Sequence, residues 1–245
     1  MKDARAWMAH LRAHLPLALS GEDPEGVHQV RVAGRRLRVY LDLLGYRVLR
    51  EDLRRLVRGA GRVRDLEVAL TAPPLPEGAS LPPGLKAHLE RELAQARALL
   101  PALLASPWME ALLRALAALP PLERPRAKAR LARLEAQTRK RLRDLRQNPT
   151  PEALHAYRRA LRRLRYAKEF LGLPTKRERA LQEVLGGLND LEVFLGLLAD
   201  YLAQSPEEEA LALREALLVE RQARFREALE ALGLRPGEAG VEPAS

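Results

Sequence analysis

The chain has 245 residues, 47% of them apolar, 30% charged and none of them cysteine. That is enough apolar chain for one large domain or two half-size lobes, and it excludes a disulfide scaffold and a thiolate metal site. The net charge is +10, with 36 arginines and only six lysines among the 42 basic residues, so the cationic surface is built from a side chain that keeps its charge and grips phosphate and carboxylate oxygens with a planar fork.

The N-terminal stretch "MKDARAWMAH" lacks the apolar core of a signal peptide, and no uncharged apolar run approaches 18 residues. A cytoplasmic, non-membrane protein is expected. Leu, Ala, Arg and Glu recur at helical spacing, and alternating Val/Ile runs are absent. The pattern predicts helices over 2–19, 23–44, 49–70 and 84–118, the last broken near Ser106-Pro107. After a joint at 119–125, it predicts helices over 122–147, 151–171, 175–203 and 206–232. "TAPPLPEGASLPPG" (71–84) reads as a loop, and the tail 236–245 as disordered.

The second helix and the sixth are near copies. "DPEGVHQVRVAGRRLRVYLDLLG" (23–45) and "TPEALHAYRRALRRLRYAKEFLG" (150–172) align at an offset of 127 with 11 of 23 positions identical. Both begin with an N-cap candidate, Asp23 or Thr150, followed by Pro and Glu, and both end in a glycine, Gly45 or Gly172, where a helix commonly turns left-handed. A second block, "GRVRDLEVAL" (61–70), matches "GGLNDLEVFL" (186–195) at six of ten positions with an offset of 125. The expected fold is therefore all-α: two pseudosymmetric four-helix bundles from an internal duplication. Both would form a single domain spanning 1–235, with halves of about 1–120 and 121–235.

On a helical wheel with His28 at zero, Val30, Ala33, Leu37, Leu41 and Leu44 fall at about 140–220° and form a core stripe. His28, Arg31, Arg35 and Arg38 fall at about 280–360° and form a polar ridge about 15 Å long, with Arg36 apart at about 80°. His155, Arg158, Arg162 and Arg165 repeat the ridge, with Tyr166 beside them at about 20°. Arginines three and four residues apart repel one another, and acidic residues are mostly at the ends of these helices. Two such ladders call for an extended polyanion. The histidines sit near helix N-termini, where the helix field disfavours imidazolium and a bound phosphate would favour it. Neither has a His or carboxylate at i+3 or i+4, so no metal site is expected there. His10 and His14 are spaced i,i+4 but have no counterpart pair in the second half.

These two helices resemble the signature helices of the CHAD family, the conserved histidine α-helical domain, and "VRDLEV" and "LNDLEV" resemble the paired motifs that follow them. The resemblance covers nearly the whole chain. It implies two pseudosymmetric bundles around a basic central groove or cavity, and binding of inorganic polyphosphate, often at polyphosphate granules. The triphosphate-tunnel domain that often adjoins the family carries a Glu-x-Glu-x-Lys motif, which is missing here, so the chain resembles a stand-alone member. Carried over by position, the binding residues are His28, Arg31, Arg35, Arg36, Arg38, His155, Arg158, Arg162, Arg163 and Arg165. Arg12 and Arg139 share the 127 offset on the preceding helices and are expected to add contacts. Arg58, Arg62, Arg64 and Tyr166 are further candidates, and Asp65 and Asp190 are expected to orient arginines.

The function expected is non-catalytic binding of polyphosphate, or of another phosphate or sulfate polyanion, without a cofactor. An RNA- or DNA-binding module is the alternative, although aromatic residues are only 4% and stacking platforms are correspondingly scarce. No glycine-rich phosphate loop, Gly-x-Ser-x-Gly or clustered carboxylate pair argues for an enzyme.

Overall fold

A computed structural model describes residues 3–234, and these form ten α-helices with no strand among them. They are α1 (Ala4–Ser20), α2 (Pro24–Leu44), α3 (Arg50–Thr71), α4 (Pro83–Leu104) and α5 (Pro107–Ala117), then α6 (Arg124–Gln147), α7 (Pro151–Phe170), α8 (Lys176–Val184), α9 (Gly186–Leu202) and α10 (Glu208–Ala231). The expected tail, 236–245, lies outside the described residues.

The two repeated helices are bounded alike. Asp23 Oδ1 accepts from the Glu25 N–H at 2.8 Å and Thr150 Oγ1 from the Ala153 N–H at 3.2 Å, each taking up an amide that the first turn leaves unpaired. At the other end, Gly45 (φ 80°) and Gly172 (φ 70°) enter the left-handed region that disfavours a Cβ. Gly45 donates to the Asp42 carbonyl and Tyr46 to Leu41; Gly172 donates to Glu169 and Leu173 to Lys168. Each of these bonds has its counterpart 127 residues on.

The break expected near Ser106-Pro107 is present, and a second, unexpected one divides the run over 175–203. Ser106 caps a new helix by accepting from the Met109 N–H at 3.2 Å, so α4 and α5 meet at a 56° bend. The run expected over 175–203 divides at Leu185, beside the Gly186-Gly187 pair that opens α9. Glycine costs helix stability, which makes this a favourable place to break. Among the described residues no single helix is long and apolar enough to cross a membrane; α4 and α5 reach that apolarity only as a bent pair.

Packing follows chain order, α1 on α2, α2 on α3, α3 on α4, α6 on α7 and α9 on α10, while α2 also packs on α6 and α7. Val30, Ala33, Leu37 and Leu41, the stripe read from the wheel, are all fully buried, and Leu44 is half-buried. Three apolar clusters result. One joins α1–α5 to Leu131, Leu134, Leu164 and Phe170 of α6 and α7. A second joins Leu66, Leu85 and Leu89 to α9 and α10, and a third lies within α6–α10. Two of the three therefore draw on both sides of residue 120, and the first holds α2 against α7.

Candidate functional site

The polar ridges of α2 and α7 line one cavity. His28, Arg31 and Arg35 stand on one wall, and His155, Arg158 and Arg162 on the other, around about 460 Å³. α3 adds Arg64, Asp65, Val68 and Ala69; α9 adds Asn189, Asp190, Val193 and Phe194. Apart from Pro74, every lining residue has its partner at an offset of 127 or 125. A second cavity of about 680 Å³ shares Arg31, Arg35 and Arg162 with the first and continues it past Arg38, Arg163 and Tyr166. Ten cationic and three acidic side chains line the two together, so much of the chain's excess positive charge surrounds two adjoining cavities.

The carboxylates orient individual arginines and offset only part of the positive charge. Asp65 Oδ1 accepts from Arg31 Nη1 at 2.8 Å, and the Gly61 carbonyl accepts from the same nitrogen at 3.3 Å. Arg158 Nη1 donates to Asn189 Oδ1, and the nearby Asp190 favours the Arg158 charge. Among the described residues Arg35 has no ion pair to offset its burial. Desolvation, then repulsion by Arg162, pulls its guanidinium down to about 10 from the usual 12.5. Burial likewise lowers Arg162, Arg38 and Arg158. The Nε atoms of Arg31, Arg35 and Arg38 are buried with no hydrogen-bond acceptor among the described residues. Such unmatched donors and like charges raise the energy of the empty site.

The histidines share this environment. Burial, then Arg64, holds His28 below its ordinary value of 6.5, against the opposing pull of Glu25. Burial, then Arg159 and Arg158, does the same to His155. Both rings are therefore neutral in the empty protein at neutral pH.

Several expected contacts lie elsewhere. Arg36 is behind the wall, where it donates to Glu169 Oε2 with its Cζ 4.3 Å from the ring centroid of Trp7 and 4.2 Å from that of Tyr166. Its counterpart Arg163 donates to Asp42 at 2.9 Å but stays 42% exposed and lines the second cavity. Trp7 and Tyr166 have Leu134 and Val39 as counterparts, so the second copy has no aromatic clamp to close over Arg163. Tyr166 was expected beside the ridge. It borders the second cavity but is only 4% exposed, with Arg36 and Arg165 over its ring. Arg165 leans on that ring and lies 3.9 Å from Glu169, and it lines neither cavity.

Arg12 and Arg139 are exposed and border neither cavity. Arg58 and Arg62 line a separate outer groove with Leu99 and Leu103 and pair with Glu51 and Glu92; Arg64 alone of the α3 candidates reaches the axial cavity. His10 and His14 serve local structure, through Gln29 Oε1 and the His10 carbonyl, both at 2.7 Å.

Gln137, Lys140 and Arg141 of α6 and Arg159 of α7 do line the second cavity. The i,i+3,i+4 spacing on α6 marks one helix face, but Arg159 has Val32 as its counterpart, and a search for repeated residues passes over it.

A family profile described as the CHAD domain matches residues 3–177. The chain belongs to the CHAD domain family. It is similar to the crystal structure of the CHAD domain from the plant Ricinus communis, with 26% identity and a TM-score of 0.75 over 93% of this chain and 89% of that one. The likeness in fold thus extends past residue 177. No curated protein matches the chain. Within this CHAD domain the ridges of α2 and α7, and the α3 residues Arg64 and Asp65, fall inside the family match, while α9 and α10 lie beyond it.

Proposed function

We propose that the protein binds inorganic polyphosphate without catalysis, holding the strand along the axial cavity between the ridges of α2 and α7. One observation carries this reading: equivalent residues of the two ridges, His28 and His155, Arg31 and Arg158, Arg35 and Arg162, line the same cavity, and Arg162 is the strongest repulsive charge on Arg35. Cations outnumber carboxylates around the cavity, and an anion would relieve their burial and mutual repulsion. An elongated cavity lined from both sides suits a chain of phosphates better than a single one. The histidines act as donors, taking up protons as phosphate arrives. No cofactor is required.

The residue-by-residue pairing also supports two copies of a four-helix unit, about 1–120 and 121–235, within a single domain. The setting expected is the cytoplasm, at polyphosphate granules. Nucleic acid is the weaker alternative: Tyr166, the aromatic residue beside the ridge, is too buried to stack on a base.

The test is the double variant Arg35→Met/Arg162→Met, titrated with long-chain polyphosphate at several salt concentrations. Affinity should fall more than tenfold, and the log–log salt slope should become shallower by about 0.7–0.9 per lost charge, by analogy with nucleic acids. Unchanged affinity overturns the site. Displacement of polyphosphate by single-stranded RNA at equal phosphate concentration overturns the choice of ligand, and release of orthophosphate in the presence of Mg²⁺ overturns the absence of catalysis.

A further inference from the structure

Glu67 and Glu192 are counterparts at the 125 offset, on the helices that follow the two ridges. The two copies treat them differently. Glu67 is 2% exposed and sealed by α4: Arg97 donates to its Oε1 at 2.8 Å and to the Gly21 carbonyl at 2.6 Å. Among the described residues no cation closes on Glu192 in this way. His155 Nδ1 stands 3.8 Å off, and Arg221 of α10 acts on it from farther away. Beside Glu192 there is instead a cavity of about 730 Å³ between the start of α7, α9 and α10.

This cavity continues the basic surface already described. His155 lines both it and the axial cavity, and Arg159 lines both it and the cavity beyond Arg163. The two are spaced i,i+4 and so share one face of α7. Across the opening, Arg214 and Arg221 of α10 line the cavity two turns apart, continuing the cationic line for about 10 Å. Both lie beyond the family match.

The geometry points to an exit track: a polyphosphate strand seated between the ridges leaves past His155 and Arg159 and is held by Arg214 and Arg221. This rests on the reading of the axial cavity as a polyphosphate site. Glu152 and Glu192 also line the track, so it holds phosphate more weakly than the axial cavity and its contribution grows with strand length. In the first copy Arg97 instead closes on Glu67, so the exit is proposed on the Glu192 side alone.

The full chain and its Arg214→Gln/Arg221→Gln variant would be titrated with tripolyphosphate, which the axial cavity can hold, and with long-chain polyphosphate. The variant should bind tripolyphosphate as the parent does, lose about tenfold in long-chain affinity, and show a salt slope shallower by about 1.5, two charges' worth. Equal long-chain affinity and slope, or an equal loss for both ligands, overturns the track. Glu192→Gln carries the same test without removing a cation: it should tighten long-chain binding severalfold and leave tripolyphosphate unchanged, and no gain overturns the proposal even if the double variant fails to fold. Arg35→Met/Arg162→Met, run alongside, reports on the axial site separately. Loss of both ligands there with no effect at Arg214 and Arg221 removes the track and keeps the site.

Discussion

Arg35 and Arg162 are equivalent positions in two near-copies of one helix, and both line both of the adjoining cavities. Burial pushes each guanidinium below its ordinary value, and Arg162 is the largest charge acting on Arg35. The site is built on mutual repulsion that the empty protein must bear.

Removing one of the pair should therefore stabilise the empty protein. Arg35→Met keeps an apolar stem in the wall and abolishes the repulsion, and we expect a gain of about 1 kcal/mol, within the range typical of relieving functional strain. Urea unfolding of the ligand-free variant checks this; a lower midpoint would mean that Arg35 is structural.

The histidines predict a proton linkage. Both have folded values below 6.5, so the unfolded chain binds the extra protons. Their contribution to stability is complete above about pH 6.5 and is lost as pH falls through the lower folded values. His28→Gln/His155→Gln should flatten that part of the melting-temperature profile. Bound polyphosphate should reverse the shift, so affinity rises on acidification through the same window. Calorimetry in buffers of different ionisation enthalpy should detect proton uptake in the parent and less in the variant.

Arg36–Glu169 and Arg163–Asp42 are reciprocal ion pairs between α2 and α7, at equivalent positions but with unequal burial. Glu169→Gln leaves the clamped Arg36 uncompensated and should cost about 3 kcal/mol. Arg163→Gln removes a partly solvated cation and should cost less than about 1 kcal/mol. Denaturant titration of both variants distinguishes these outcomes.

Arg97→Gln should expose the cost of burying Glu67. The carboxyl is already held above its usual value by desolvation, against the opposing pull of Arg97. Without that cation its folded value climbs further, so the destabilisation is greatest at neutral pH and is relieved as acid protonates Glu67. Melting temperatures at neutral and mildly acidic pH should therefore converge toward those of the parent only on the acid side.

Gly26 marks the closest approach of α1 and α2. A Cβ there would lie 2.5 Å from Ala18 N and 2.6 Å from Leu17 C, both backbone atoms that cannot rotate aside. Gly26→Ala should cost about 2–3 kcal/mol despite its better helix propensity, as read from thermal melts.

The ridges, the core stripe and the glycine turns were legible in the sequence because each follows a local period, and the 127 offset displayed each twice. The fate of an individual arginine depended on neighbours that the period does not carry. Arg36 and Arg163 are equivalent on any wheel, yet Trp7 and Tyr166 close over one and Leu134 and Val39 leave the other open. The offset misled at Arg12 and Arg139 for a related reason. α6 packs on α2 as well as α7, and presents Gln137, Lys140 and Arg141 to the cavity, whereas α1 packs on α2, α4 and α5. The split at Leu185 and the opening beside Glu192 both arise where the second copy departs from the first.

A chain of phosphates has identical ends and reads the same in either direction, and a perfectly twofold site could not tell one end from the other. The Trp7–Arg36–Tyr166 clamp removes that indifference. By withdrawing one arginine from the wall and leaving its twin exposed, it gives the protein a front and a back. A polyphosphate strand seated there as proposed would take on a polarity that it lacks when free.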